Sequence, residues 1–317
     1  LMYQEELRGR NGLKTYPVNN QSRIIGPMEL TKPIKGDNLY LTINKQVQLA
    51  TQDAIMNHLQ RIRTSTDSFE RAENARIGYA VAMEVKTGKV VAMASMPDYD
   101  PNLWQGGISK KDYDAVKYYM GNGAIREVQA PYADDKERLK HPSSLVNLGS
   151  TQKPLTILLG LNEGLITPNT AFNDPGYFAF GAKGHEVRVR NSQNKANGLL
   201  YPWSAIAKSS NAFMASEIGN KLYRRDGSKG LDVWDKYMKE FGLGVTTGSG
   251  LPGESAGSIN YFIEEKRGSA QSALVYASFG QQGRYTALQL AQYATMLASH
   301  GTRLKPQFVE RIEDADG

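Results

Sequence analysis

Ser150 and Lys153 stand three positions apart in the stretch LGSTQKPL, and a proline and an apolar run follow at once. At helical spacing, positions i and i+3 share a face with Cβ atoms about 5–6 Å apart, so the lysine amine reaches the serine hydroxyl. The positive end of a helix and the apolar LTILLGL run behind it both disfavour a charged ammonium. A neutral lysine beside a serine takes the hydroxyl proton, which a serine must lose to attack a carbonyl. Pro154 is compatible with this place because a first helical turn has no intrahelical N–H bond to lose. The same residues also describe a serine capping an ordinary helix beside a solvated lysine. For a lone Ser-x-x-Lys that is the commoner outcome.

A second polar cluster lies further on, in AIAKSSNAFM. Ser209, Ser210 and Asn211 are flanked by Ile206, Phe213 and Met214, so three hydrogen-bonding side chains sit in an apolar helical setting where they are locally costly. One reading is a proton-shuttling Ser209 and a substrate-gripping Asn211; the other is a helix cap or interhelical hydrogen bonds. The two clusters together are far more specific than either alone.

Two other motifs carry less. Lys86-Thr87-Gly88 falls before Ser150, at the bend of an expected hairpin, and reads as a basic residue plus a turn pair. Gly253–Gly257 (GESAG) matches a nucleophile elbow, but that motif needs a strand before and a helix after it, and here TTGSGLP and SINYF give loop on both sides. Of the four histidines, His58 and His300 fall in or at the ends of helices, and His141 and His185 fall in loops. None has a paired metal spacing.

The elements that must position these residues follow from periodicity. DNLYLTIN alternates as a strand, and Lys45–Thr64 has helical apolar spacing. Ile77 to Val85 alternates, turns at Thr87-Gly88 and returns through Val90–Ala94, which predicts a hairpin. Residues 98–148 are loop-rich with short helical pieces. LTILLGLNEGLI predicts a helix closed by Gly164, and residues 170–200 read as loops and short strands. Helices are expected around 203–222 and 231–241, a Gly/Ser/Pro loop over 242–262, and two helices in SAQSALVYASFG and TALQLAQYATMLASHG. Strands cluster early and helices dominate the middle, which predicts an α+β or mixed α/β domain.

The chain has 317 residues with a formal net charge of +6, and its charges are interspersed, so no basic arm for nucleic acid is evident. Cysteine is absent, which excludes thiol nucleophiles, thiolate metal sites and disulfides. No apolar stretch approaches the roughly 20 residues that span a bilayer. Both ends look cut.

In chain order, LRGRNG, NLYLTINKQVQ, AVAMEVKTGKVVAMASMPDYDPN, LGSTQKP, GLPGES and FGQQGRYTALQLAQYATMLASHG resemble class B penicillin-binding proteins, from about residue 5 onward. Ser-x-x-Lys followed by Ser-x-Asn is two-thirds of the serine–lysine signature of those proteins and related β-lactamases. The resemblance implies an antiparallel sheet packed between helical layers. It implies residues 1–36 as a linker or remnant of a non-catalytic pedestal, and 37–317 as a transpeptidase domain cut before its last strands. By it, Ser150 is the acylated nucleophile, Lys153 its general base, Ser209 the relay to the leaving amine and Asn211 the grip on the substrate amide. The partners it implies are peptidoglycan stem peptides ending in D-Ala-D-Ala, β-lactams as covalent inhibitors, and a membrane anchor and cell-wall synthesis proteins outside this chain. The setting is the extracytoplasmic face of the membrane, and no cofactor or metal is expected. A D,D-carboxypeptidase, a β-lactamase or a non-catalytic sensor on the same scaffold remain alternatives. The pattern departs from the family at one point: no Lys-Thr-Gly or Lys-Ser-Gly follows Ser209. The third motif is expected on a segment outside these residues, whether continuous with this chain or a separate one.

Overall fold

The structure, a computed structural model, describes residues 2–315. Its first elements are small and exposed: helix α1 (Gln4–Arg8) and a hairpin of β1 (Leu13–Thr15) with β2 (Glu29–Thr31). Strand β3 (Asn38–Leu41) follows, and then the long helix α2 (Lys45–Thr64), started by Asn44, whose side chain accepts the Gln46 and Val47 N–H groups.

The expected hairpin forms from β4 (Gly78–Met83) and β5 (Val90–Met96), in register from Gly78↔Met96 to Met83↔Val90 with a bulge near the turn. The β4–β5 pair forms a two-stranded sheet of its own, and Thr42 ties it to the segment before the last strand, since its hydroxyl donates to the carbonyls of Val90 and Gln307 and its N–H to that of Phe308. Alternation decides which layer covers which face. Gly78 and Ala80 turn toward α2, close enough that a Cβ on Gly78 would lie 2.6 Å from Ile55. Val81 turns the other way, into a small core with Val90, Ile125 and Leu288.

Residues 98–148 carry only short helices, a 3₁₀ turn at Pro101–Trp104, α3 (Lys110–Val116) and α4 (Asp135–Arg138). The helical layer is built around α5 (Lys153–Asn162), which buries Leu155, Ile157, Leu159 and Gly160 and is therefore apolar nearly all round. Two small hairpins follow: β6 (Phe172–Asp174) pairs with β9 (Gly198–Leu200), and β7 (Tyr177–Phe180) with β8 (Val187–Arg190).

The expected helix over 203–222 is instead broken. Helix α6 (Pro202–Ala207) stops, Ser209 takes a left-handed φ of 53°, and Ser210 caps a new start by accepting the Phe213 N–H. Helix α7 (Asn211–Phe213), a π-helical run over Met214–Asn220 and α8 (Lys221–Asp226) then continue one path. The break has a cause in the sequence, since two adjacent serines offer the backbone alternatives to helical bonding. Helix α9 (Gly230–Glu240) agrees with expectation, whereas α10 (Tyr261–Arg267) begins inside a stretch expected to be loop. Helices α11 (Ala270–Ala277) and α12 (Ala287–Ala298) complete the layer. Phe213, Leu222, Trp234, Tyr261 and Leu274 pack with α5 in one fully buried core. Strand β10 (Val309–Glu313) returns to pair antiparallel with β3.

Candidate active site

A 3₁₀ turn at Gly149–Gln152 leads into α5, and the Lys153 N–H bonds the Ser150 carbonyl. At three residues per turn, side chains i and i+3 eclipse, so Ser150 and Lys153 point the same way. Three contacts fix this turn from behind. Gln152 donates to the Ala277 carbonyl at 2.5 Å, the Tyr293 hydroxyl donates to the Thr151 carbonyl at 3.0 Å, and the Gly149 N–H donates to the Gly280 carbonyl at 2.9 Å. The last approach is so close that a Cβ on Gly280 would lie 2.1 Å from the Gly149 oxygen, and Gly280 also has a φ of +84°.

The break at Ser209 brings the second cluster against the first. Lys153 Nζ donates to Ser209 O at 2.7 Å, Asn211 Oδ1 at 2.7 Å and Ser209 Oγ at 3.0 Å, and Ser209 Oγ lies 2.8 Å from Ser150 Oγ. The structure therefore differs from the expectation in one respect. Lys153 Nζ is joined to Ser150 Oγ through the Ser209 hydroxyl, while two carbonyl oxygens also hold the amine.

Those oxygens decide the chemistry. Ser209 O and Asn211 Oδ1 only accept, and the Asn211 amide is oriented by its Nδ2 donating to Arg190 O at 2.9 Å. Once the amine is neutral, its two N–H groups serve the two carbonyls, and its lone pair faces Ser209 Oγ. Lys153 is 1% exposed, and burial pulls its pKa down to about 8. About a tenth of it is then neutral at pH 7. Hydroxyl protons rotate, so the two contacts form a continuous hydrogen-bonded path between Ser150, Ser209 and Lys153 along which a proton can pass in either direction.

The other motifs stay apart from this cluster. In Lys86-Thr87-Gly88, the Thr87 hydroxyl donates to Glu84 and Gly88 has a φ of +80°, as a turn requires. Ser255 lies in a loop, where its N–H donates to Ile125 O and its hydroxyl accepts the Gly257 N–H at 3.1 Å. His58 contacts Arg61, and His141 stacks on Tyr132 and contacts Glu137. Among the described residues no group of three or more His, Asp or Glu side chains could hold a metal ion.

Sequence reasoning missed the residues behind the cluster, Asp174, Arg190, Asn191 and Tyr293. Three of them lie in or beside short strands; β8 alternates as Val187-Arg188-Val189-Arg190, but four residues of alternation do not say what the side chains around them meet. The only hint was a concentration of Asn and Asp between two hairpins.

A serine joined by a second serine to a buried lysine, with a carboxamide alongside, defines a serine–lysine site on a mixed α/β scaffold. Residues 78–316 match the penicillin binding protein transpeptidase domain, and the chain belongs to that family. It is 26% identical to the peptidoglycan D,D-transpeptidase MrdA of Acinetobacter baumannii, over 99% of this chain and 41% of that protein. It is 27% identical to penicillin-binding protein 2A of Bacillus subtilis, over 99% of this chain and 39% of that one. Among solved structures, PBP2 of Pseudomonas aeruginosa in complex with WCK 5153 is 28% identical with a TM-score of 0.65, covering 88% of this chain and 56% of that one. The chain thus spans about two-fifths of the length of the curated relatives it matches.

Proposed function

We propose that this chain is the acyl-transfer part of a peptidoglycan D,D-transpeptidase, with Ser150 as nucleophile, Lys153 as base, Ser209 as relay and Asn211 as the grip on the substrate amide. The observation that carries this reading is the hydrogen-bonded path from Ser150 through Ser209 to a lysine that burial keeps easily deprotonated. In acylation, Ser150 Oγ attacks the carbonyl of the penultimate D-Ala while its proton passes through Ser209 to Lys153. The C–N bond then breaks, and the proton returns through Ser209 to the departing D-Ala amine. An acceptor amine on a neighbouring strand reverses these steps, giving its proton to the same relay and taking the acyl group. A β-lactam enters by the same attack, but its amine leaving group stays tethered.

The third wall of the site is proposed to be a strand carrying Lys-Thr-Gly, supplied from outside residues 1–317. Strand β4 pairs only with β5 among the described residues, so its other edge is open. A cleft of about 410 Å³ runs beside it, lined by Tyr79, Val81, Thr151, Leu290 and Tyr293. A strand added there passes Thr151, the neighbour of the nucleophile. Residues 1–36 are proposed as the join to a pedestal, 37–317 as the transpeptidase domain without its last strands, and the setting as the outer face of the membrane beside other cell-wall synthesis proteins. No helix among the described residues is long and apolar enough to cross a membrane.

A fluorescent penicillin tests the reading. The intact protein is expected to be labelled covalently at Ser150, with the label gone in Ser150→Ala. Label persisting in that variant, or mapping to Ser255, would overturn it. Rapid loss of label would turn the reading to a β-lactamase.

A further inference from the structure

Behind the cluster lies a carboxylate that the mechanism above does not use. Asp174, at the end of β6, is 1% exposed, and no lysine, arginine or histidine forms an ion pair with it among the described residues. Burying such a group is costly unless hydrogen bonds replace its water. Four donors do so. The Gly176 N–H lies at 2.8 Å, Asn191 Nδ2 at 3.0 and 2.8 Å from the two oxygens, Asn197 Nδ2 at 2.8 Å and Ser210 Oγ at 2.7 Å. A carboxylate has about four lone-pair sites, so the set is complete.

The donors come from the turn between β6 and β7, from the segment between β8 and β9 and from the start of α7, and two of them lead to the site. Ser210 follows Ser209 directly and, while donating to Asp174, accepts the Phe213 N–H that starts α7. Asn191 donates to Asp174, and its Oδ1 accepts the N–H groups of Asn211 at 2.8 Å and Ala212 at 3.1 Å. Backbone N–H groups only donate, so this contact also fixes which way the Asn191 amide points. Residues 210, 211 and 212 are thus all held from one side by Asp174, directly or through Asn191. Ser209 sits at the edge of this hold in a left-handed conformation that strains a non-glycine residue and persists only where its surroundings over-determine it.

We propose that Asp174 is a positioning residue for the acyl-transfer reaction: through Ser210 and Asn191 it imposes the turn that aims Ser209 Oγ at Ser150 and Asn211 Oδ1 at Lys153. The proposal rests on the acyl-transfer reading for its rate but not for its geometry. Asp174→Asn keeps the shape and replaces an acceptor by a donor, which then faces the donors already there. Asn191→Asp in addition restores an acceptor to the pair.

The test measures the rate of acylation by a fluorescent penicillin in the intact protein, together with hydrogen exchange of the amides of Asn211, Ala212 and Phe213. Asp174→Asn is expected to acylate about a hundredfold more slowly, the scale of a misplacement near 1 Å, with those amides losing protection. Asp174→Asn/Asn191→Asp is expected to recover part of both. Wild-type rate and protection in folded Asp174→Asn would overturn the proposal, as would a folded double variant no better than the single one. Should Asp174→Asn fail to fold, Ser210→Ala and Asn197→Ala each remove one donor. Unchanged exchange in both would then overturn it. An unlabelled wild-type protein would count against the acyl-transfer reading alone, since the exchange measurement still decides the role of Asp174.

Discussion

Lys153 and Lys86 each stand in a three- or four-residue pattern that serine–lysine enzymes use, and the fold treats them in opposite ways. Lys153 lies at the start of a helix that is apolar on nearly every side, faces three oxygens and is almost without solvent contact. Lys86 is exposed in the turn between β4 and β5, where the polar contacts belong to its neighbours Thr87 and Gly88. Reactivity in a lysine comes from desolvation and from partners that leave its lone pair one direction. A motif supplies neither. The surrounding layer does.

The sharpest way to break this comparison is to remove the charge at each place. Lys153→Met is expected to slow acylation by about a thousandfold, within the range for a lost general base. Lys86→Met is expected to leave the rate within about twofold, since no proton passes there. Rates of penicillin labelling in the intact protein measure both. A large loss in Lys86→Met would make the hairpin turn part of the site and undo the distinction.

A smaller effect tests whether the helical layer positions the nucleophile as well as burying the base. In Gly280→Ala the new Cβ meets the Gly149 backbone at 2.1 Å, and the residue must hold a φ of +84°. Neither backbone is the far end of a flexible side chain, so the 149–152 turn must move. We expect acylation to fall about tenfold to a hundredfold through displacement of Ser150, and the unfolding midpoint to drop. Gly88→Ala places the same strain on the hairpin turn, and there only the midpoint should change.

Much of this arrangement was legible in the residues, and the part that was not has a common cause. The hairpin, α2, α9, α11 and α12 carry a period or a clear apolar pattern because each buries a face in a core, and α5 shows as an apolar run of helical length because it is buried nearly all round. Ser150 and Lys153 could be named from their helical spacing ahead of an apolar run, Ser209 and Asn211 from polar side chains in an apolar setting, and the roles of all four came from the resemblance to serine–lysine enzymes. The break at Ser209 was not legible. It depends on Asp174 and Asn191, which lie in short strands and turns too brief for a period to say what they meet, and their partners are fixed only by the fold. Ser209 was legible as a proton shuttle to the leaving amine, but its place between Ser150 and Lys153 was hidden for the same reason. Sequence spacing places Lys153 beside Ser150, whereas the Ser209 and Asn211 carbonyls draw its amine aside.

The pH dependence separates the two lysines more gently. Burial sets the Lys153 pKa near 8, below the 10.5 of an exposed lysine. Acylation that needs the neutral amine should therefore rise about tenfold per pH unit below 8 and level off above it. The same shift acts on stability with a definite sign. Between pH 8 and 10.5 the unfolded chain binds the lysine proton and the folded chain does not, so the Lys153 contribution to stability rises across that window and is at its lowest below it. Lys153→Met should abolish this rise in a pH series of unfolding midpoints, and Lys86→Met should keep it.

The smallest expected effect concerns the other serine in a suggestive setting. Ser255 sits in GESAG, yet its loop has neither the strand nor the helix that would push a serine forward, and its hydroxyl accepts a local backbone N–H at 3.1 Å. Like Lys86, it has the letters of a motif without the layer that gives them chemistry. Ser255→Ala should label within about twofold of wild type, and the loss of one half-buried hydrogen bond should cost about 0.5–1.5 kcal/mol of stability. The adjacent Glu254 is the residue that holds this loop, accepting the Thr247 N–H and the Ser249 hydroxyl. Glu254→Ala should therefore destabilise the protein more than Ser255→Ala does, with labelling at Ser150 retained. Unfolding midpoints rank the two, and a reversed order would mean that Ser255 has a role its surroundings do not reveal.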